Sequence, residues 1–275
     1  MTGWSESVMN KIGLIGTGNL AASIIKGLRQ NQSNYKLFLY DVFSEKAQSL
    51  AKEYQAANCS LEEVLNEAEI LLLAVKPKDI KALLEELSGY SLTGKLLITV
   101  AAGIGIAVYE KALPGIAVIR VMPNTSCAVL QAVSGMVRGK HVNDAQAVAG
   151  EKIFSAIGRV IWIEDNKVNA LTAVSGSGPA YFYLLTELMA LTGVNLGLTE
   201  GEAELLARET LIGAGKMLAE DSRSPQKLRE AVTSPNGTTY AALDTFRREG
   251  LDKIVWQAMK ACQRRAEEME GEYGQ

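Results

Sequence analysis

The apolar positions change their period along the chain. Short runs that are apolar almost throughout lie at residues 11–16 (KIGLIG), 36–40 (KLFLY), 70–75 (ILLLAV), 96–101 (LLITVA) and 116–121 (IAVIRV). Runs without polar alternation predict strands buried on both faces, the pattern of a parallel sheet covered by helices. The stretches between them, 19–30, 44–55, 60–67 and 78–87, read as helices. Ser60 followed by Glu63 predicts a capping box at the start of one of them. Beyond about Asp165 the strand pattern ends. Thr199 with Glu202 predicts another capping box, after which Ala203, Leu206, Thr210, Leu211, Ala214 and Met217 recur at helical spacing. Leu251, Ile254, Val255, Met259, Cys262, Ala266 and Met269 do the same. The prediction is an α/β domain with a doubly wound parallel sheet over residues 1–165 and an all-helical domain over 166–275, divided at the turn Glu164-Asp165-Asn166.

Composition narrows the function. The 275 residues suit one to two domains, and 48% hydrophobic with 21% charged residues is ample for a core. A net charge of -3 without a run of Lys or Arg argues against a nucleic-acid partner. Residues 1–10 lack the basic start and apolar stretch of a signal peptide. The longest uncharged run, 168–186, is broken by Ser175-Gly176-Ser177-Gly178-Pro179, so no membrane span is predicted. Cys59, Cys127 and Cys262 are scattered and lack metal-ligand spacing, which predicts reduced thiols, a cytoplasmic setting and no metal. A lone histidine, His141 in a polar stretch, argues against a Ser-His-Asp triad or a histidine-bound metal.

Candidate chemistry begins at Gly16-Thr17-Gly18-Asn19-Leu20-Ala21, a G-x-G-x-x-A sequence between a predicted strand and a predicted helix. The first glycine permits a tight turn, the second lets backbone approach a pyrophosphate, and small Ala21 lets the helix pack on the strand. The helix start supplies free N–H groups to the phosphates. Asp41 closes the next strand, where an acid that bonds the ribose is expected. This makes the first domain Rossmann-like. The breaks at Gly16-Thr17-Gly18, Asp41, Val75-Lys76-Pro77, Ala101-Ala102-Gly103 and Met122-Pro123-Asn124 all follow strands. Ligands bind at that edge of an open parallel sheet. Pro77 alone also reads as a helix-start proline and Gly103 as an ordinary turn. Asp41 favours NADH, whereas Ser44 and Lys46 just beyond it offer groups for a 2'-phosphate, so the cofactor is NADPH or NADH.

Two later segments lead into helices. In Ser175–Tyr181 (SGSGPAY), Ser177 fits an N-cap with Pro179 in the first turn. In Thr233-Ser234-Pro235-Asn236-Gly237-Thr238-Thr239, Ser234 or Thr238 fits a cap for a helix over 240–248. The latter segment offers backbone N–H groups and hydroxyls at a positive helix end, suited to a small carboxylate.

Taken in order, GTGNLA, LAVKP (73–77), AAGI (101–104), RVMPNT (120–125), AVSGSGPAY (173–181) and VTSPNGTT (232–239) resemble pyrroline-5-carboxylate reductase over all but about the first ten residues. The resemblance implies a Rossmann domain, a helical domain that interleaves with a second subunit, and NAD(P)H-dependent reduction of 1-pyrroline-5-carboxylate to L-proline. It implies cofactor contacts at Gly16, Thr17, Gly18, Asn19, Leu20, Ala21, Ala74, Val75, Lys76 and Pro77, with Ala101, Ala102, Gly103 and Asn124 near the nicotinamide. It assigns the substrate to Ser234, Asn236, Gly237, Thr238 and Thr239, with Thr239 orienting the ring nitrogen and Asp165 nearby. Ser126 and Asn236 depart from the family's MPNTP and SPGGTT. Asn tolerates a left-handed backbone better than other side chains, so the second loop is expected to survive. The alternatives are a non-catalytic dinucleotide-binding paralogue, or a related oxidoreductase of another small acid. An enzyme of the β-hydroxyacid dehydrogenase type needs a lysine acid/base, and Lys216, Lys227, Lys253 and Lys260 all lie outside the Gly-rich motif.

Overall fold

The computed structural model describes residues 9–273. The chain runs β1 (Lys11–Ile15), α1 (Asn19–Gln30), β2 (Lys36–Tyr40), α2 (Ser44–Tyr54), β3 (Ala57–Asn58), α3 (Leu61–Glu67), β4 (Ile70–Leu73) and α4 (Pro77–Leu87). It continues β5 (Leu96–Thr99), α5 (Ile106–Ala112), β6 (Ala117–Met122), β7 (Ala132–Arg138), α6 (Asp144–Ser155) and β8 (Gly158–Trp162). The helices α7 (Val168–Leu171), α8 (Gly178–Asn195), α9 (Glu200–Glu220), α10 (Pro225–Ala231), α11 (Thr238–Arg248) and α12 (Leu251–Tyr273) complete it. Two compact units result: Met1–Gly176 with Gln263–Gln275, and Ser177–Cys262.

In the first unit the eight strands order as β3-β2-β1-β4-β5-β6-β7-β8. From β3 to β6 every pairing is parallel, which sends six strand ends to one edge. The five strands expected from the apolar runs, β1, β2, β4, β5 and β6, all pair in parallel, and two further strands extend the sheet past β6. β7 lies antiparallel to β6, and β8 is parallel to β7. β7 and β8 are absent from the apolar runs for a physical reason. Ser134, Gly135 and Arg138 interrupt β7, while edge strand β8 leaves Ile161 and Trp162 exposed.

Successive residues of each central strand face opposite sides, and each side has its own core. Ile12, Leu14, Ile70, Leu72 and Ile98 pack with Ile24, Ile25 and Leu28 of α1 and with Phe154 of α6. Ile15, Leu71, Leu73 and Leu97 pack with Val64, Leu83, Leu84 and Tyr109 of α3, α4 and α5. Apolar burial on both faces explains why these strands carry no polar alternation.

Both predicted capping boxes form. Ser60 and Glu63 bond reciprocally at α3, and Thr199 and Glu202 do so at α9. In the second unit the expected apolar faces are largely uncovered within one chain. Leu206 and Met217 of α9 and Ile254, Val255 and Trp256 of α12 are exposed, with only Ala203 and Ala207 of α9 buried. The helix α8 is apolar all round and exposes Phe182, Tyr183, Leu184, Leu185, Leu188 and Met189. Among the described residues no helix is long and apolar enough to cross a membrane.

Candidate active site

The breaks singled out in the sequence converge at the carboxyl edge of the first unit's sheet. Gly16 follows β1, Asp41 follows β2, Ala74 to Pro77 follow β4, and Ala101 to Gly103 follow β5. Backbone bonds lace the edge together: Gly16 N donates to Tyr40 O (2.8 Å), Ala74 N to Ile15 O (2.8 Å) and Val100 N to Leu73 O (3.2 Å).

Gly16 has φ +95°, and a Cβ there would stand 2.7 Å from the carbonyl oxygen of Ala74. Both its conformation and its neighbour demand glycine. Gly18 is the N-cap of α1, and no side chain satisfies the first-turn amides. A Cβ on Gly18 would meet nothing within 4 Å, so the helix start faces open space. Asn19 and Leu20 begin the helix and Ala21 is fully buried against the core. The twelve-residue α1 therefore presents unpaired N–H groups and its positive end to the space over the glycine turn, which fits a dinucleotide diphosphate.

Asp41 is more than the end of a strand. Its Oδ2 accepts from Thr17 N and from Thr17 Oγ1, both at 2.8 Å, and its Oδ1 accepts from Phe43 N at 2.9 Å. Partial burial pushes this carboxyl up, but the amides of Phe43 and Thr17, the Thr17 hydroxyl and the nearby Lys46 charge outweigh it. The acid is held below its ordinary value. Thr17 thus spends its polar groups on Asp41 and shapes the turn. Ser44 opens α2, and the Lys46 ammonium lies 4.9 Å over the Phe43 ring. Lys76 is the N-cap of α4 and Pro77 sits in its first turn, the helix-start role open to that proline.

At the β5 end, Thr99 is fully buried and its hydroxyl shares a 2.7 Å hydrogen bond with Tyr109 Oη. The same hydroxyl accepts from Ala101 N at 3.3 Å. Burial pushes Tyr109 up to about 12, against the opposing Thr99 bond and Arg120 charge. Gly103 has φ +72° and packs so close to α12 that a Cβ would be 3.1 Å from Met269 Cβ. Asn124 uses its side chain as a tie: Nδ2 donates to Ser175 O (3.1 Å) and Oδ1 accepts from Val133 N (3.3 Å). Ser126 lies in the short 3₁₀ turn that follows, where its carbonyl accepts from Gln131 N.

Arg120 carried no role of its own in the sequence analysis. It is only 3% exposed, yet Nη1 meets Asp165 Oδ1 at 2.8 Å and Nη2 meets Glu270 Oε1 at 2.7 Å. Glu270 Oε2 in turn accepts from Asn169 Nδ2 at 2.9 Å. Asp165 therefore stands in an ion-pair network, with its second oxygen 3.4 Å from Ile106 N. The one signal was an arginine inside the apolar run IAVIRV. Glu270 lies 150 residues away and had none.

Two expectations about the later helix starts are corrected. Residues 172–176 form a π-helical turn ahead of α8, a form that concentrates at functional sites. Ser177 occupies the N-cap position without capping: its backbone is already helical (φ -90°, ψ -11°), and its hydroxyl accepts from Cys262 Sγ at 3.3 Å. The Tyr181 hydroxyl bonds Cys262 and Ser177 and is pushed up, chiefly by burial. The helix α11 starts at Thr238, two residues ahead of the predicted start, and neither Ser234 nor Thr238 caps it. Gly237 does, with no side-chain bond to the first-turn amides. Gly237 N donates to Ser234 O at 3.0 Å, and the Ser234 hydroxyl packs where a Gly237 Cβ would be. Asn236 has φ +58°, the left-handed region that Asn enters more readily than other side chains. Thr238 and Thr239 are the first two residues of the helix. The second unit thus brings Ser234, Asn236, Gly237, Thr238 and Thr239 together around one helix start without a side-chain cap, as the first unit does with Gly16 to Ala21.

Comparison with known proteins decides the family. The profile described as pyrroline-5-carboxylate reductase dimerisation matches residues 165–269, and that described as NADP oxidoreductase coenzyme F420-dependent matches residues 11–103. The pyrroline-5-carboxylate reductase of Pseudomonas aeruginosa is 37% identical over 269 residues, covering 96% of this chain and 98% of its own. The chain belongs to the pyrroline-5-carboxylate reductase family. A solved structure of a pyrroline-5-carboxylate reductase from Coxiella burnetii superposes with a TM-score of 0.90 at 33% identity, covering 96% of this chain and 99% of that one. The Plasmodium falciparum pyrroline carboxylate reductase, solved with NADP bound, has a TM-score of 0.81 at 27% identity, with 96% and 99% covered.

Proposed function

We propose that this family member reduces 1-pyrroline-5-carboxylate to L-proline with NADPH or NADH, the last step of proline biosynthesis. The observation that carries the reading is a pair of helix starts capped by glycines without a side-chain bond, Gly18 on α1 and Gly237 on α11. Each offers unpaired N–H groups to an anion. The first suits a dinucleotide diphosphate and the second a small carboxylate.

When bound, the dihydronicotinamide supplies the hydride. Gly18, Asn19, Leu20 and Ala21 hold the diphosphate over the turn that Gly16 and Thr17 shape, with Asp41 and Ser44 at the ribose. Ala74, Val75, Lys76, Pro77, Ala101, Ala102, Gly103 and Asn124 line the way to the nicotinamide. Ser234, Asn236, Gly237 and Thr238 grip the carboxylate through backbone amides and hydroxyls, and Asp165 lies beside the substrate. Thr239 is the catalytic residue, orienting the ring nitrogen by a hydrogen bond while its proton comes from water or from a pre-protonated imine. Anchoring a small substrate rigidly meets the demand that reacting atoms be held about 3–3.5 Å apart. The exposed apolar surface of α8, α9 and α12 belongs against a second copy, because a patch that size is a protein interface. A homodimer or larger assembly follows, acting in the cytoplasm, without metal, nucleic acid or membrane.

Substrate profiling tests the reading. Turnover of 1-pyrroline-5-carboxylate should far exceed that of 1-pyrroline, which lacks the carboxylate, and of small hydroxy acids with the oxidised cofactor. Faster turnover of a hydroxy acid would move the chain to another reaction. Dinucleotide binding with no turnover of any substrate would make it a binding paralogue.

A further inference from the structure

The turn that follows β5 is held at three points, and one of them is made by the far end of the chain. Ala101 N is fixed by the Thr99 hydroxyl, which Tyr109 orients. At the other end of the turn, Ile106 N points at Asp165 Oδ2, and a Cβ on Gly105 would stand 3.7 Å from that oxygen. Between them, Gly103 packs on Met269 and Tyr273 of α12. Glu270 is the residue next to Met269. Its bond to Arg120 Nη2 fastens this stretch of helix, and Arg120 Nη1 fastens Asp165.

Arg120 is at the centre of the frame. It pairs in register with Thr99 on the neighbouring strand, so its guanidinium is built into the base of the turn. At 3% exposure it cannot turn to water, and its two terminal nitrogens are committed to the two carboxylates. The second Glu270 oxygen is held by Asn169. A carboxylate bound on both oxygens, one of them to a buried cation, has a defined orientation. Other acids of this helix are placed differently: Glu272 and Glu268 pair with Arg265 of the same helix in exposed bridges.

We propose that Glu270 is a positioning residue of the reductase site. Through Arg120 it holds the end of α12 and Asp165 against the 101–105 turn, and so sets where the nicotinamide ring rests. The proposal builds on the function given above, which assigns that turn to the nicotinamide. The diphosphate is gripped elsewhere, at Gly16 to Ala21, so loosening the turn should disturb hydride geometry far more than cofactor affinity.

The experiment compares Glu270→Ala, Glu270→Gln and the control Glu272→Ala in the full-length enzyme. Three quantities are read: NADPH Kd by fluorescence titration, kcat with 1-pyrroline-5-carboxylate, and amide exchange across residues 99–108. For Glu270→Ala we expect kcat to fall roughly ten-fold or more, since small misplacements of reacting groups carry costs of that order. The Kd should change less than about three-fold, because the diphosphate grip is untouched. Exchange should quicken at the 101–106 amides, with Glu272→Ala like wild type in all three. Glu270→Gln keeps the length and one acceptor oxygen and should fall between; it supplies the same readings should the alanine variant not fold. A folded Glu270 variant with wild-type kcat and wild-type exchange at the turn overturns the proposal. So does a loss shared equally between Kd and kcat, which would mark a general loosening. If the wild-type enzyme fails to reduce the imine, the proposed function falls, while the exchange data still judge the clamp.

Discussion

At the scale of single residues, several groups carry more than one task. Asp41 binds Thr17 twice and Phe43 once, so the residue proposed to meet the ribose also shapes the glycine turn. Its acid is depressed, so the stabilisation it gives is complete above its unfolded value and is lost as pH falls through the lower folded value. Stability of the turn should therefore decline only under acid, and Asp41→Asn should flatten that decline. The same variant should raise the ratio of NADPH to NADH in kcat/KM several-fold by removing a charge that repels a 2'-phosphate. An unchanged ratio would leave Asp41 solely as the anchor of Thr17. Thr239→Ala should lower kcat/KM by roughly ten- to a hundred-fold, the cost of about 1.5–3 kcal/mol for a hydrogen bond to a charged group. NAD(P)H affinity should hardly move, and unaltered turnover would remove Thr239 from the chemistry. Asn236, with φ +58°, explains how the loop tolerates a residue other than glycine. Asn236→Gly should preserve turnover, whereas Asn236→Val should cost about 1–2 kcal/mol through left-handed strain.

At the scale of elements, Gly16 just after β1 and Gly18 just ahead of α1 build the proposed diphosphate site. Gly16→Ala would place a methyl 2.7 Å from the Ala74 carbonyl at φ +95°. We expect loss of dinucleotide binding, measured by titration, in a protein that still folds. Much of this was legible in the amino-acid sequence. Strands buried on both faces have no polar positions to blur them, and a Ser or Thr three residues before Glu marks a helix start by local chemistry alone. Other elements had weaker signals. β3 has two residues, β7 is interrupted by Ser134, Gly135 and Arg138, and edge strand β8 is half exposed. Gly237 took the cap from Ser234 and Thr238 because the preceding turn, with Asn236 left-handed, delivers the chain to the helix at the glycine. Periodicity cannot report that. Nor can it report the Arg120–Glu270 pair, whose members are joined only by the fold.

At the scale of the whole molecule, the helical unit cannot be understood as a single chain. Its apolar periodicity predicted helices correctly, but Leu188, Leu206 and Trp256 are half or more exposed within one copy. Sequence spacing identifies an apolar face without saying whose surface it meets. Leu188→Glu, at a half-exposed position of α8, should yield monomers in sedimentation and abolish most turnover; a dimeric, active variant would place the interface elsewhere. The central claim is the reaction itself. Purified full-length protein should be mixed with 1-pyrroline-5-carboxylate and either NADPH or NADH, following cofactor absorbance and assaying proline by chromatography. We predict oxidation of at least one cofactor with L-proline formed in equal amount. Tight cofactor binding with no substrate-dependent oxidation would contradict the account.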